Sequence, residues 1–219
     1  MQNRDFVMPE KSKHGTTTVS VVCKDAIIVA SDNRASMGYL IANKSCDKIF
    51  KISDRIAMTI AGSAGDGQML AKYLKAEIDL YKLNVGIEPS LDVASSLMQN
   101  ILFSQGKSWL PYLVQLIIAG IDEKDNFAIY TLDPMGSNIK ETKFYTTGSG
   151  SPMVFGILED AYKEGLSEEE GVQLVIRAIY SAIKRDMGSG EAIDVVVINR
   201  KGYRKLDKIP VETVLKSKK

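Results

Sequence analysis

Hydroxyl nucleophiles are plentiful in this chain, but the base that usually activates one is almost missing. His14 is the only histidine in 219 residues. A Ser-His-Asp or Cys-His arrangement needs an imidazole beside its nucleophile, so a conventional triad is not expected. Directly after that histidine, the run GTTTVS at 15–20 sets three threonines behind a glycine. Taken alone it reads as a Thr-rich edge strand, because β-branched threonine suits a pleated sheet anywhere along its length. It also supports a chemical reading. If the Gly15–Thr16 bond were cut, Thr16 would carry a nucleophilic hydroxyl and a free α-amine on one residue, in reach of each other directly or through one water. An α-amine titrates near about 7.7–8.0 and is substantially neutral at neutral pH, whereas a lysine amine at about 10.4 is not. Gly15, lacking a Cβ, would let the backbone bend tightly enough for Thr16 to attack the carbonyl before it.

The same scarcity bears on metals. Cys23 and Cys46 are the only cysteines and form no close CxxC pair, so with one histidine the usual zinc ligands are lacking and no metal or cofactor is implied. Two unpaired thiols fit a reducing, cytoplasmic compartment. The formal net charge of +1 offers no field for nucleic acid or an anionic membrane. Residues 1–15 mix both charge signs and lack the apolar centre of a secretory signal. The longest apolar run, YLVQLIIAGI at 112–121, is strand-sized and bounded by Pro111 and Asp122.

A nucleophile of this kind has to be held by a frame, and the hydrophobic pattern describes one. With 45% hydrophobic and 25% charged residues, the chain is long enough for one globular domain with a sizeable core. TTTVSVVC and AIIVASD read as strands joined at Lys24–Asp25, and DKIFKI and RIAMTIAG as two more around Ser53–Asp54. Between 66 and 83 the period becomes helical, with Leu70, Leu74, Ile78 and Tyr81 on one stripe. A second helix begins near Pro89–Ser90 with Leu91, Ala94, Leu97, Met98, Ile101 and Leu102. The order then recurs: LVQLIIAGI, FAIYTLD and KFYTTG as strands, then helices over about 152–164 and 167–186. Ser167 and Glu170 make a capping box for the last of these, whose expected face is Val172, Ile176, Ile179 and Ile183. IDVVVIN at 193–199, apolar nearly throughout, is expected to be buried on both faces. Strands and paired helices in this order predict an α+β fold, a four-layer αββα sandwich of two antiparallel sheets flanked by helices, with KSKK as a solvated tail.

Six motifs in this order also carry a resemblance: GTTTVS at 15–20, SDNRASMG at 31–38, DKIFKI at 47–52, TIAGSAGD at 59–66, TGSGS at 147–151 and RDMGSG at 185–190. Each is common in loops by itself; together, over nearly the whole chain after residue 15, they resemble the β subunits of the archaeal 20S proteasome, members of the N-terminal-nucleophile hydrolases. Ser20 departs from the family's frequent glycine, inside a strand and away from the chemistry. The resemblance implies a leader, residues 1–15, removed by self-cleavage between Gly15 and Thr16, and a single catalytic domain over 16–219. It makes Thr16 the nucleophile, with Lys48 and Asp32 beside it. A cation near the amine lowers its pKa and stabilises a developing alkoxide, and a carboxylate holds that cation oriented. Gly62, at a strand-to-helix junction, would point its N–H at an oxyanion. Ser149, Asp186 and Ser189 match supporting hydrogen-bond positions, although read alone they are turn or cap residues.

Ala35, Cys46, Ile60 and Ala64 match the family's specificity pocket, and none is formally charged, which implies preference for large hydrophobic side chains before the cut. Backbone pairing from Ser36 and Ala64 would hold a substrate as an added strand. Implied partners are further β subunits in a heptameric ring, rings of α subunits, a regulatory ring of AAA ATPases, and unfolded polypeptides as substrate. Two rivals stay open: a structural β subunit whose leader is never removed, and the simpler bacterial two-ring protease, which SDNRASMG and the long C-terminal half resemble less.

Overall fold

The computed structural model describes residues 15–210; His14, the rest of the leader and the KSKK tail lie outside them. The chain runs β1 (Thr17–Val22), β2 (Ala26–Asp32), β3 (Ala35–Met37), β4 (Leu40–Asn43), β5 (Ile49–Lys51), β6 (Ile56–Gly62), α1 (Ala64–Val85) and α2 (Leu91–Gly106). Its second half is β7 (Val114–Ile121), β8 (Phe127–Leu132), β9 (Asn138–Glu141), β10 (Phe144–Gly148), α3 (Ser151–Ala161), α4 (Glu168–Ile183), β11 (Ala192–Asn199), β12 (Gly202–Lys205) and β13 (Ile209–Pro210). One antiparallel sheet has the order β10-β1-β2-β11-β12 with β13 on β11, and the other β5-β6-β7-β8-β9.

Period-two alternation divides the apolar residues of the central strands among three layers of core. In β2, Ile28 and Ala30 pack toward α3 and α4, while Ile27 and Val29 face the other sheet. In β11, Val195 and Val197 take the helix side and Val196 and Ile198 the inter-sheet side. The second sheet mirrors this: Met58, Leu116 and Ile118 meet Leu70, Leu74 and Met98 of α1 and α2, while Ala57, Ile117 and Ala119 face inward. Helices on both outer faces and two sheets between them give the expected αββα sandwich.

Three local expectations need correction. β1 is no edge strand: it pairs with β10 on one side and β2 on the other. The expected strands leave out the β3–β4 hairpin and β9, β12 and β13, which are short or exposed and carry little apolar signal. On α4, the buried stripe is Gly171, Leu174, Val175, Ala178, Ile179 and Ala182, with Val172, Ile176 and Ile183 half-buried at its flanks. Small residues let the helix approach the sheet; a Cβ on Gly171 would lie 2.3 Å from Cys23 Sγ. The cap prediction holds in full, since Ser167 Oγ accepts from Glu170 N–H at 3.2 Å and Glu170 Oε2 from Ser167 N–H at 2.8 Å.

Gly171→Ala is therefore expected to lower stability by about 1–3 kcal/mol through overpacking, despite alanine's better helix propensity. Adding Cys23→Ala should restore part of the loss. Denaturant unfolding of the single and double variants checks this, and additive losses would show that the contact is not the cause.

Candidate functional site

Thr16 immediately precedes β1 and is only 5% exposed. Its hydroxyl donates to the Gly15 carbonyl at 2.7 Å, so the predicted nucleophile already touches the group it would attack. Antiparallel pairing sets Thr17 opposite Gly148 at the end of β10, which brings Ser149 beside Thr16. The Thr16 N–H donates to Ser149 Oγ at 3.2 Å, and Ser149 donates its one proton to Asp186 Oδ2 at 2.7 Å. Ser189 donates to the same oxygen at 2.6 Å, leaving its own lone pairs for the Thr17 hydroxyl at 2.6 Å. The chain of bonds thus ends from both directions on one carboxylate, which brings Ser149, Asp186 and Ser189 together.

The three threonines have three different partners. Thr16 meets the scissile carbonyl and Thr17 meets Ser189. Thr18 Oγ1 bonds Thr147 Oγ1 at 2.7 Å and accepts from Thr59 Oγ1 at 3.0 Å, which joins the two sheets through buried hydroxyls.

Asp32, the last residue of β2, pairs with Lys48 at 2.7 Å, and both side chains are buried. Oδ1 also accepts from Thr17 N–H at 2.8 Å, and Oδ2 from Gly190 N–H at 3.0 Å and Arg34 N–H at 3.1 Å. Asp32 therefore reaches the neighbour of Thr16, while Lys48 lines the same pocket as Thr16. Burial pushes the Asp32 carboxyl above its ordinary range and the Lys48 ammonium below its own, and the contact between them opposes both shifts.

All five residues expected to contact substrate, Ala35, Ser36, Cys46, Ile60 and Ala64, line one pocket with Gly15, Thr16, Lys48 and Gly62. Gly62 ends β6 with φ +116°, and a Cβ there would sit 2.2 Å from the Leu113 carbonyl oxygen, so only glycine fits. The next residue, Ser63, caps α1. Three wall residues escape the sequence reading: Asp47, Phe50 and Gln68. Phe50 was legible by strand spacing from Cys46 and Lys48, and Gln68 by its place one helical turn after Ala64. Asp47 adds a carboxylate to a pocket expected to be apolar from its uncharged Ala35, Cys46, Ile60 and Ala64; it is largely exposed and lies 3.4 Å from Lys205. Gly15 calls for a different reason as well. Its lack of a Cβ is required because one would fall 1.9 Å from Gly188 Cα.

The proteasome subunit family model matches residues 12–198. A proteasome subunit beta of Ferroglobus placidus is 48% identical over 206 residues, covering 94% of this chain and 97% of that protein. Those of Methanosarcina mazei, 48% identical over 198 residues (90% and 93%), and Methanohalophilus mahii, 44% over 210 (96% and 99%), are alike throughout. The chain belongs to the proteasome β-subunit family. Its resemblance to the archaeal type is borne out, and the αββα sandwich is the frame in which this proteasome subunit presents Thr16.

One further residue of the proteasome subunit's site went unread in the sequence. Arg34, inside SDNRASMG, donates Nη1–H to the Met187 carbonyl at 3.0 Å and Nε–H and Nη2–H to Glu191 Oε1 at 3.2 and 2.9 Å. It clamps the segment that carries Asp186, Ser189 and Gly190. A DxR pair one residue apart in a loop was the available signal. Among the described residues, no cluster of metal-binding side chains occurs and no helix is long and apolar enough to cross a membrane.

Lys48→Met removes the charge, keeps most of the length and strands the Asp32 carboxylate. Breaking a buried pair from one side costs about 3–5 kcal/mol. Losing Lys48 raises the folded-state pKa of Asp32 further above 3.8, so the folded form binds a proton that the unfolded chain does not. The deficit should therefore shrink as pH falls from neutral through that raised titration range. Unfolding midpoints of variant and parent at pH 7.5 and pH 5 test this; a deficit unchanged with pH would show that Asp32 is not left charged.

Proposed function

We propose that this chain is the catalytic β subunit of a 20S core particle, a threonine-type endopeptidase that first removes its own leader. The observation that carries the reading is the 2.7 Å bond from the Thr16 hydroxyl to the Gly15 carbonyl, buried in a pocket that also holds Lys48.

In the first reaction Thr16 Oγ bonds to the Gly15 carbonyl carbon, the Gly15–Thr16 C–N bond breaks, and the hydroxyl proton passes to the departing nitrogen. Water then hydrolyses the ester, releasing residues 1–15 with a new carboxylate and freeing both the hydroxyl and an α-amine. In the second reaction that amine takes the Thr16 proton as Oγ bonds to the carbonyl carbon of an outside peptide; the peptide C–N bond breaks, the proton passes to the departing amine, and water hydrolyses the ester to release a new carboxylate and restore Thr16. The Lys48 charge favours the developing alkoxide, and the Gly62 N–H receives the oxyanion. Ser149, backed by Asp186 and Ser189, orients the nitrogen in both reactions. The subunit works in heptameric β rings stacked on α rings in the cytoplasm, with a ring of AAA ATPases delivering unfolded polypeptides.

Thr16→Ala is expected to abolish peptide hydrolysis and leave the leader attached, with assembly retained. Intact-mass measurement reads the leader directly. A mass beginning at Thr16 in assembled parent particles supports the enzyme, and a full-length mass there supports the structural, unprocessed subunit instead.

Ala35, Ile60, Ala64 and Phe50 give the pocket apolar walls, and Asp47 sits beside Lys205. Burying Leu or Phe gains about 1.5–3 kcal/mol, whereas an ionised side chain loses hydration. A net difference of about 2 kcal/mol corresponds to roughly thirtyfold in kcat/KM in favour of Leu, Phe or Tyr over Glu or Arg before the cut. Fluorogenic peptides differing only at that residue measure the ratio. Equal or faster cleavage after Arg would show that Asp47, rather than the apolar walls, sets the preference.

A further inference from the structure

The two reactions proposed above share a hydroxyl but differ in acyl donor, and the first requires the Gly15–Thr16 peptide itself to be held still. We infer that Gly188, by its lack of a side chain, is a positioning residue for leader removal, and that this lack has no part in the cleavage of outside peptides. The inference rests on the reading of residues 1–15 as a leader cut off by Thr16.

Gly15 is fixed on three sides. Its N–H donates to Ser36 Oγ at 2.8 Å, and its carbonyl accepts from Thr16 Oγ1 at 2.7 Å. Its Cα lies against Gly188: a Cβ on Gly188 would fall 2.2 Å from Gly15 Cα, and its three nearest neighbours would all be Gly15 backbone atoms. Gly188 has no positive φ that would require glycine on conformational grounds. Each is therefore kept bare by the other. Carbon atoms pack at about 3.5–4.0 Å, so a methyl on Gly188 must displace Gly15 by more than about 1 Å. Such a shift strains the Ser36 bond and moves the scissile carbonyl relative to Thr16 Oγ. Once residues 1–15 have left, the same methyl occupies the space Gly15 vacated. The Gly188 N–H that donates to Asp186 Oδ1 at 3.2 Å survives the substitution, because alanine keeps that donor.

The experiment compares Gly188→Ala in two forms. In the full chain, leader removal followed by intact mass over time should slow by about 10²-fold, the penalty expected for an ångström-scale misplacement of reacting groups. In a second form the leader is replaced by a carrier that a separate protease removes directly before Thr16; there peptide turnover should match that of the unsubstituted sequence made the same way. Gly15→Ala supplies the clash from the other side, leaves the Gly188 loop untouched, and should show the same slow processing. Leader removal at the parent rate in Gly188→Ala or Gly15→Ala would overturn the inference. So would a carrier-released Gly188→Ala particle that fails to assemble or turn over, since that marks a structural role. Failure of the underlying reading looks different: the unsubstituted full chain would not be cut at Gly15–Thr16, or Thr16→Ala would be cut as fast.

Discussion

A single buried carboxylate organises the site. Asp32 accepts hydrogen bonds from Lys48, Thr17 and Gly190, on three other stretches of chain, and from Arg34 two residues along its own. An ionised carboxylate removed from water is tolerated only when its lone pairs find donors, so none of the three stretches can move away from Asp32 without leaving a desolvated charge. The pair with Lys48 is a poor source of net stability by the same physics, because both ions lose hydration. Its value is positional. It fixes Lys48 in the wall of the pocket that Thr16 also lines and, through the Thr17 N–H, fixes the start of β1 that Thr16 precedes.

The fold makes this meeting inevitable once the strands pair in register. Thr18 lies opposite Ser31, which puts the start of β1 beside the end of β2; Thr17 opposite Gly148 brings in the end of β10; and Asp32 opposite Ile193 brings in the start of β11. In the second sheet β6 ends at Gly62, and the hydroxyl bond from Thr59 to Thr18 ties that strand to β1. One end of the sandwich therefore collects strand termini from both sheets. Residues at termini are free of the alternation that fills the three apolar layers, so polar side chains can gather there without spoiling a core.

This arrangement also explains what could be read in advance. Long, strongly periodic elements such as α1, β2 and β11 were legible because their apolar residues answer to burial over many positions. The capping box at Ser167 and Glu170 was legible because both partners lie within four residues. The short β3–β4 hairpin was not, since its exposed Met37, Tyr39 and Leu40 resemble no buried face. Within the site, Lys48 and Asp32 were recognised only by likeness of motif, as nothing in their spacing says that they meet. Gly188 was hidden for a sharper reason. Its constraint is a close approach to Gly15, and a steric requirement between residues so far apart in the chain exists only after folding.

On the proposed reading, the state described here is held inactive by chemistry as much as by shape. The nitrogen of Thr16 is a peptide N–H, whose lone pair is delocalised into the carbonyl and cannot serve as a base. It nevertheless makes the bond to Ser149 that a free amine would need, with Ser149 committed as donor to Asp186 and so obliged to accept. The site is thus assembled around a base that does not yet exist. Cutting Gly15–Thr16 alters one covalent bond, removes Gly15 from the pocket wall, and converts the same nitrogen into an amine whose orientation is already set. Activation then requires no rearrangement of Lys48, Asp32 or the Arg34-clamped loop, and the order of events, self-cleavage before turnover, follows from the bonding state of one atom.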